Sequence, residues 1–440
     1  MPAAATGRRK LFGTDGVRGV AGELVTAELA LALARAATAR ITEPSGEPPR
    51  VLVVRDTRES GEMLEAAVGA GVAAAGGVAL VGGVLPTPGA PLLVRRHGLD
   101  LAVVLSASHN PYRDNGIKFF GGDGFKLSDT TEHEIERMLE EPPAAARPGR
   151  VHRLEGALDD YLAALRERFA ALDLTGRRLL LDCANGATYE AAPAIFSALG
   201  ADVDVVAAEP DGRNINAECG STHVEGLVER MREGRYDAGF AFDGDGDRVL
   251  AVDREGVVVD GDELIALAAL HLRVPGVAVT VMTNYGFHTA MRDAGIDVAT
   301  TAVGDRYVLE ALREREWQLG GEQSGHIIDM GFVPSGDGIA AALLTLEALG
   351  SGDLADRHAM EKLPQRLVNV PVRDREAVGD APEVQAAAER ESAALEGRGR
   401  VLLRPSGTEP LVRVMVEAPT AAEADAVCDR LVAVVQGRLG

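Results

Sequence analysis

The chain has 440 residues, of which 46% are hydrophobic and 25% charged, and it carries a formal net charge of −22 at pH 7. This is a globular composition with room for roughly three domains at about 150 residues each, and its acidic balance excludes nucleic acid or an anionic membrane as the main partner. No apolar run approaches the ~20 residues that span a bilayer, and residues 1–10 lack the apolar core of a signal peptide.

In chain order, residues 51–54 form a β-branched run that ends in Arg55-Asp56-Thr57-Arg58. A helix over 62–75, an apolar run over 78–81, a helix over 86–97 and a strand over 101–105 follow, the last stopping at Ser106. Strands alternating with helices imply a parallel sheet with crossover helices. In such sheets ligands gather beyond the carboxyl ends of the strands.

The pattern recurs twice. A strand over 178–182 ends in Cys183-Ala184-Asn185-Gly186, and one over 237–242 ends in Asp243. A third cycle runs from a strand over 277–282 through two helical stretches to 318–319, ending in Gly320-Gly321-Glu322-Gln323-Ser324-Gly325-His326. The last segment reads as strands over 366–372, 400–403 and 411–417 with helices over 382–395 and 421–436.

The expected organisation is therefore three successive α/β mixed-sheet domains (1–150, 151–255, 256–366) plus a C-terminal α+β domain (367–440). The Pro-rich stretch 141–149 is the clearest linker. Cys183, Cys219 and Cys428 are odd in number and far apart, so reduced thiols in a cytoplasmic protein are expected rather than a disulfide framework.

Two loops carry the strongest chemical signal. In Ser106-Ala107-Ser108-His109-Asn110-Pro111 the proline disfavours helix continuation and favours an exposed turn, so a serine there can meet an incoming phosphoryl group. Spacing does not separate Ser108 from Ser106. In Asp243-Gly244-Asp245-Gly246-Asp247-Arg248, alternate carboxylates project to one side and can converge on one hard divalent cation such as Mg²⁺. An EF-hand is excluded, because the sixth position is Arg248 and the twelfth Arg254. Together the two loops suggest phosphoryl transfer through a phosphoserine.

Other groups are weaker candidates. Ser406-Gly407-Thr408, flanked by Arg404 and Arg413, offers amide, hydroxyl and guanidinium donors for a phosphate that is not transferred. Glu322 and Ser324 can bind sugar hydroxyls or an amine. Lys118 and His326 are candidates for proton transfer.

These motifs, with Leu11-Phe12-Gly13-Thr14-Asp15-Gly16-Val17-Arg18-Gly19 at one end and Arg404-Pro405-Ser406-Gly407-Thr408-Glu409-Pro410 at the other, closely resemble the α-D-phosphohexomutase superfamily. Gln323, Asp211-Gly212-Arg213-Asn214-Ile215-Asn216 and Cys219-Gly220-Ser221-Thr222-His223 resemble its bacterial phosphoglucosamine mutase branch rather than the mannose/glucose branch. One departure is Val54, where relatives usually carry glycine.

The resemblance implies four domains around a central cleft, with Ser108 as the phosphorylated residue. It implies one Mg²⁺ per chain, held by Asp243, Asp245 and Asp247 with a phosphoserine oxygen of Ser108. Arg18, His109, Lys118, Arg248 and His326 would serve catalysis. Glu322 and Ser324 would read the sugar, and Arg404, Ser406, Gly407, Thr408 and Arg413 would grip the existing phosphate.

The implied reaction interconverts glucosamine 6-phosphate and glucosamine 1-phosphate, with glucosamine 1,6-bisphosphate as intermediate and activator, and so supplies amino-sugar and cell-wall precursor synthesis. A phosphomannomutase or phosphoglucomutase is the alternative; a metal-dependent phosphatase or a sugar-phosphate sensor is the reading from another class. The partner expected is a small sugar phosphate, with no nucleic acid and no membrane, and a homodimer is left open.

Overall fold

A computed structural model describes residues 11–13, 15–42, 46–140, 147–406 and 409–440. Residues 141–146 of the expected linker lie outside them, as do Gly407 and Thr408. The chain divides into two compact units, one of Met1–Val281 with Ala299–Arg357, the other of Met282–Val298 with His358–Gly440. No described helix is long and apolar enough to cross a membrane.

The first unit begins with β1 (Val17–Val20), α1 (Ala27–Ile41), β2 (Arg50–Arg55), α2 (Gly61–Ala74), β3 (Val78–Val84), α3 (Gly89–His97), β4 (Leu101–Leu105), β5 (Asp114–Gly121), α4 (Asp129–Glu140) and β6 (Arg150–Arg153). Thr26 starts α1 by accepting the Leu29 N–H at 3.2 Å, an N-cap worth about 1 kcal/mol. Gly71 lets α2 close on α1, since a Cβ there would sit 2.3 Å from the Leu31 carbonyl oxygen. Leu33, Leu64, Val68, Val51 and Val103 then share one buried core. The sheet order is β1-β5-β4-β2-β3-β6.

Next come α5 (Ala157–Arg168), β7 (Arg178–Asp182), α6 (Thr188–Ala198), β8 (Asp202–Val206), α7 (Glu225–Glu233), β9 (Ala238–Phe242), β10 (Val249–Asp253) and β11 (Val258–Val259), with sheet order β11-β10-β9-β7-β8. The third group is α8 (Gly261–Leu272), β12 (Gly276–Thr280), β13 (Asp297–Thr301), α10 (Asp305–Arg315), β14 (Leu319–Gly321), β15 (Ile327–Asp329) and α11 (Gly338–Leu349), with sheet order β13-β12-β14-β15; α9 (Tyr285–Asp293), which falls between β12 and β13 in the chain, belongs to the second unit.

All three sheets are mixed for the same reason. A parallel strand enters the site, a short loop follows, and the chain returns antiparallel: β4 to β5, β9 to β10, β14 to β15. Loops this short leave no room for a crossover helix, so antiparallel pairing is the only return. Simple strand–helix alternation therefore misses β5, β10 and β15, although it places the strands before each loop.

The second unit is α9 with β16 (Gln365–Pro371), α12 (Pro382–Ala394), β17 (Arg400–Pro405), β18 (Leu411–Glu417) and α13 (Ala421–Leu439). Its three strands are antiparallel in the order β16-β18-β17. Buried Glu417 accepts the Tyr285 N–H at 2.8 Å and pairs with Arg400 at 2.8 Å, fixing the start of α9 to this sheet.

Candidate active site

The Ser108 loop is built on β4, all five residues of which are buried. Ser106 donates its hydroxyl to Asp56 Oδ2 at 2.6 Å and accepts the Ser108 N–H at 2.9 Å. Asp56 in turn holds Arg58 Nε at 2.8 Å, both side chains fully buried, and Arg58 also donates to the carbonyls of Pro111 and Asp114. Ser106 is thus committed to bracing the loop. Ser108 takes a left-handed conformation (φ 52°) and points its Oγ at Asp243 Oδ2, 2.5 Å away. Val54 is fully buried, and a slip in the β2–β3 register falls between Val53 and Val54.

Asp243, Asp245 and Asp247 are all buried, and their candidate ligand atoms lie within 4.8 Å of one another. Asp243 Oδ1 accepts the Arg248 N–H at 3.1 Å. Asp245 Oδ2 accepts from Thr87 Oγ1 at 2.7 Å and Lys118 Nζ at 2.8 Å. Lys118 also lies 3.1 Å from Asp15 Oδ2 and 3.7 Å from Asp247 Oδ2. Burial, aided by the charges of Asp247 and Asp245, pushes the Asp243 carboxyl well above the usual range. For Asp247 burial also opposes ionisation, but the His326 and Lys118 charges outweigh it and hold that carboxyl low.

Two observations fit a metal ion here. Asp245 Oδ1 and Asp247 Oδ1 are buried without a hydrogen-bond partner, a costly state that a cation relieves. The donors are all hard carboxylate oxygens, the set that Mg²⁺ prefers.

Around this centre stand most of the other sequence-nominated groups of the first unit. His109 Nδ1 is 3.3 Å from Ser108 Oγ; burial and the charges of Arg248 and Arg18 lower its basicity. Arg18 approaches the Ala107 carbonyl at 3.5 Å and pairs with Asp15. Arg248 lies 3.8 Å from Asp247.

His326 is buried, with Nδ1 3.5 Å from Asp247 Oδ1 and Nε2 accepting the Gly336 N–H at 3.1 Å. Gly325 (φ 89°) docks this loop on β10: a Cβ there would lie 2.0 Å from the Val249 carbonyl oxygen. Glu322 accepts the Gly304 N–H at 3.1 Å, and Ser324 is exposed.

Arg404, Ser406 and Arg413 cluster in the second unit. Arg404 and Arg413 face each other across the β17–β18 pair. Like charges directly opposite are unfavourable without an anion, and Arg413 Nε is buried without a hydrogen-bond partner. Ser406 is buried and its hydroxyl accepts the Glu409 N–H at 3.3 Å.

The sequence reading missed Asp15, Lys126, Asp305, Asp56 and Arg58 as parts of the site. Lys126 bridges Asp15 and Asp305, which joins the first sheet to the start of α10. Asp15 is a charged residue in the glycine-rich run from Gly13 to Gly19; Lys126 and Asp305 carried no local signal, because their partners come from more than a hundred residues away.

Four family models match the chain: phosphoglucomutase/phosphomannomutase α/β/α domain I over residues 9–145, domain II over 159–256, domain III over 260–367 and the C-terminal domain over 367–434. The chain is similar to the phosphoglucosamine mutase of Deinococcus deserti (48% identical over 438 residues, 98% of this chain and 99% of that one). It is equally similar to that of a Parafrankia species (49% over 468 residues, 98% and 99%).

Among solved structures, a phosphoglucomutase/phosphomannomutase family protein from Burkholderia thailandensis shares the fold with a TM-score of 0.83 at 23% identity, covering 97% of each chain. Aspergillus fumigatus N-acetylphosphoglucosamine mutase, solved with GlcNAc-6P and magnesium, matches with a TM-score of 0.68 at 19% identity, covering 100% of this chain and 97% of that one.

Proposed function

The chain belongs to the α-D-phosphohexomutase superfamily and within it to the phosphoglucosamine mutases, which are isomerases; on that premise we propose that phospho-Ser108 is the group that carries phosphate between the two ends of the sugar. The single observation that carries this is the 2.5 Å contact of Ser108 Oγ with the buried tri-aspartate loop. Ser106 has the same chemistry but its hydroxyl is held by Asp56.

Asp243, Asp245 and Asp247 would hold Mg²⁺ together with an oxygen of phospho-Ser108. When bound, that ion offsets the charge of the phosphoryl group and polarises it as a Lewis acid. In the first half-reaction the 1-hydroxyl of glucosamine 6-phosphate attacks phosphorus, an O–P bond forms at the sugar and the bond to Ser108 Oγ breaks. The product is glucosamine 1,6-bisphosphate. After this turns round, Oγ attacks the phosphorus at the 6-position, and glucosamine 1-phosphate leaves.

The transition state of such a transfer is loose, so positioning and charge dominate. Burial disfavours a charged Lys118, but Asp15, Asp245 and Asp247 outweigh it and raise its basicity. It therefore stays protonated and stabilises negative charge with Arg18 and Arg248. His326, the other proton-transfer candidate, is assigned the hydroxyl proton. Glu322 and Ser324 are assigned to the sugar, and Arg404, Ser406 and Arg413, with Gly407 and Thr408, to the phosphate that is not transferred. The parts then divide as carrier (1–150), metal (151–255), sugar (256–366) and phosphate (367–440).

The test is Mg²⁺-dependent conversion of glucosamine 6-phosphate, primed with its 1,6-bisphosphate, beside glucose and mannose 6-phosphates. Preference for the amino sugar is expected. Preference for a neutral hexose would keep the relay and overturn the assignment of the sugar loop.

A further inference from the structure

This inference rests on Ser108 being the phosphoryl carrier and concerns what holds it in place. Ser108 is left-handed at φ 52°, a conformation that costs an ordinary residue roughly 1–2 kcal/mol. Something must fix it, and its carbonyl oxygen shows what does. That oxygen accepts from Arg58 Nη2 at 2.8 Å and from Asn216 Nδ2 at 2.9 Å. The same two groups reach the Asn110 carbonyl, at 2.8 Å and 3.1 Å. Two carbonyls of the serine loop are thus gripped from two sides.

The two jaws differ in origin. Arg58 follows β2 in the same sheet as the serine loop, whereas Asn216 comes from the connection between β8 and α7, in the sheet that carries the aspartates. Asn216 is itself buried and left-handed (φ 57°), with its N–H bonded to the Ala184 carbonyl at 2.9 Å. Gly244 closes the arrangement. A Cβ on it would lie 2.6 Å from both Asn216 Nδ2 and the Ser108 carbonyl oxygen, so the metal loop packs directly against the clamp.

We propose that Asn216 is a positioning residue that fixes the Ser108 peptide to the aspartate loop, so that Oγ and any phosphoryl group on it stay aligned through both half-reactions. It acts only through Ser108. One amide nitrogen supplies both donors, and its geometry explains the residue type. Aspartate has the same shape but would set one carboxylate oxygen, an acceptor, against both carbonyls in place of Nδ2; alanine would leave those carbonyls to Arg58 alone.

The experiment compares Asn216→Asp, Asn216→Ala, Ser108→Ala and the parent, each as the full chain. It measures thermal midpoint, steady-state kcat and KM, and single-turnover transfer of labelled phosphate from phospho-Ser108 to glucosamine 6-phosphate. A misplacement of about 1 Å can cost about a hundredfold, so transfer should slow by about tenfold to a hundredfold in both Asn216 variants, more in Asp than in Ala. KM should stay within about twofold, because ground-state sugar contacts are untouched.

A structural filler role would make the isosteric Asp variant harmless, or make activity fall only with the folded fraction; either result overturns the proposal. A rise in KM without slower transfer overturns it too. If Ser108→Ala still turns over, the carrier assignment fails. A dead Ser108→Ala beside a normal Asn216→Asp refutes the clamp alone.

Discussion

Ser108 Oγ donates to Asp243 Oδ2 at 2.5 Å although the two residues are 135 positions apart in the chain. The contact exists because each of two sheets ends a parallel strand in a short loop and returns antiparallel, β4 to β5 and β9 to β10. A nucleophile and an array of buried carboxylates are thereby placed against each other, an arrangement that fits a cation held by those carboxylates.

Replacing Asp245 by Asn removes one anionic ligand and one partner of Lys118. Mg²⁺ affinity, measured by calorimetric titration, should fall by at least about tenfold, with a parallel loss of turnover. Chelation of the metal from the parent protein should stop turnover reversibly. An unchanged titration would remove Asp245 from the metal site.

Lys118 neutralises Asp15 and Asp245 in a fully buried position. Lys118→Met keeps the bulk and deletes the charge, leaving buried Asp245 without its paired cation while Asp15 keeps Arg18 and Lys126, and should destabilise the fold by about 3 kcal/mol. Added Mg²⁺ should recover part of this by drawing the carboxylates to itself. Denaturant unfolding with and without Mg²⁺ measures both effects, and an unchanged midpoint would show that the buried lysine is not needed for charge balance.

Asp337 gives a pH signature outside the aspartate loop. It caps α11 by accepting the Ala340 N–H at 2.9 Å, and the Tyr161 hydroxyl donates to it. Burial raises its carboxyl from 3.8 to about 7. The native state therefore binds this proton more tightly than the unfolded chain does. The resulting stability is complete below pH 3.8 and is lost as pH rises through about 7. Asp337→Asn, neutral at every pH, should flatten the fall of the thermal midpoint across that window relative to the parent. Identical slopes would mean that Asp337 does not titrate there.

Ser106→Ala removes the hydroxyl that joins Asp56 to the Ser108 N–H. The two partners remain buried, so a loss of about 1–3 kcal/mol in stability is expected, together with slower but still measurable turnover. Ser108→Ala should instead abolish turnover with little change in stability. A reversal of the two outcomes would move the carrier to Ser106.

The strands before the first two loops and the loop chemistry were legible in the sequence, because β4 and β9 are short apolar runs followed at once by Ser106 and Asp243, whereas Gly320 and Gly321 read as loop and stand in β14. The antiparallel returns were not. The β5 sequence Asp114–Gly121 begins with polar residues and holds buried Lys118, which hides its strand character. Choosing Ser108 over Ser106 was beyond spacing and came from the family resemblance; the structure adds a physical ground in the Asp56 hydrogen bond. Lys126 and Asp305 were illegible because an ion pair between distant elements leaves no local pattern.

The central claim is that Ser108 itself carries the phosphate. Incubating the protein with Mg²⁺ and labelled glucosamine 1,6-bisphosphate, then mapping the labelled peptide by mass spectrometry, tests it most directly. One phosphate on Ser108, chased off by glucosamine 6-phosphate, is the expected result. Label on Ser106, or label on Ser108 that the sugar phosphate does not remove, would contradict it.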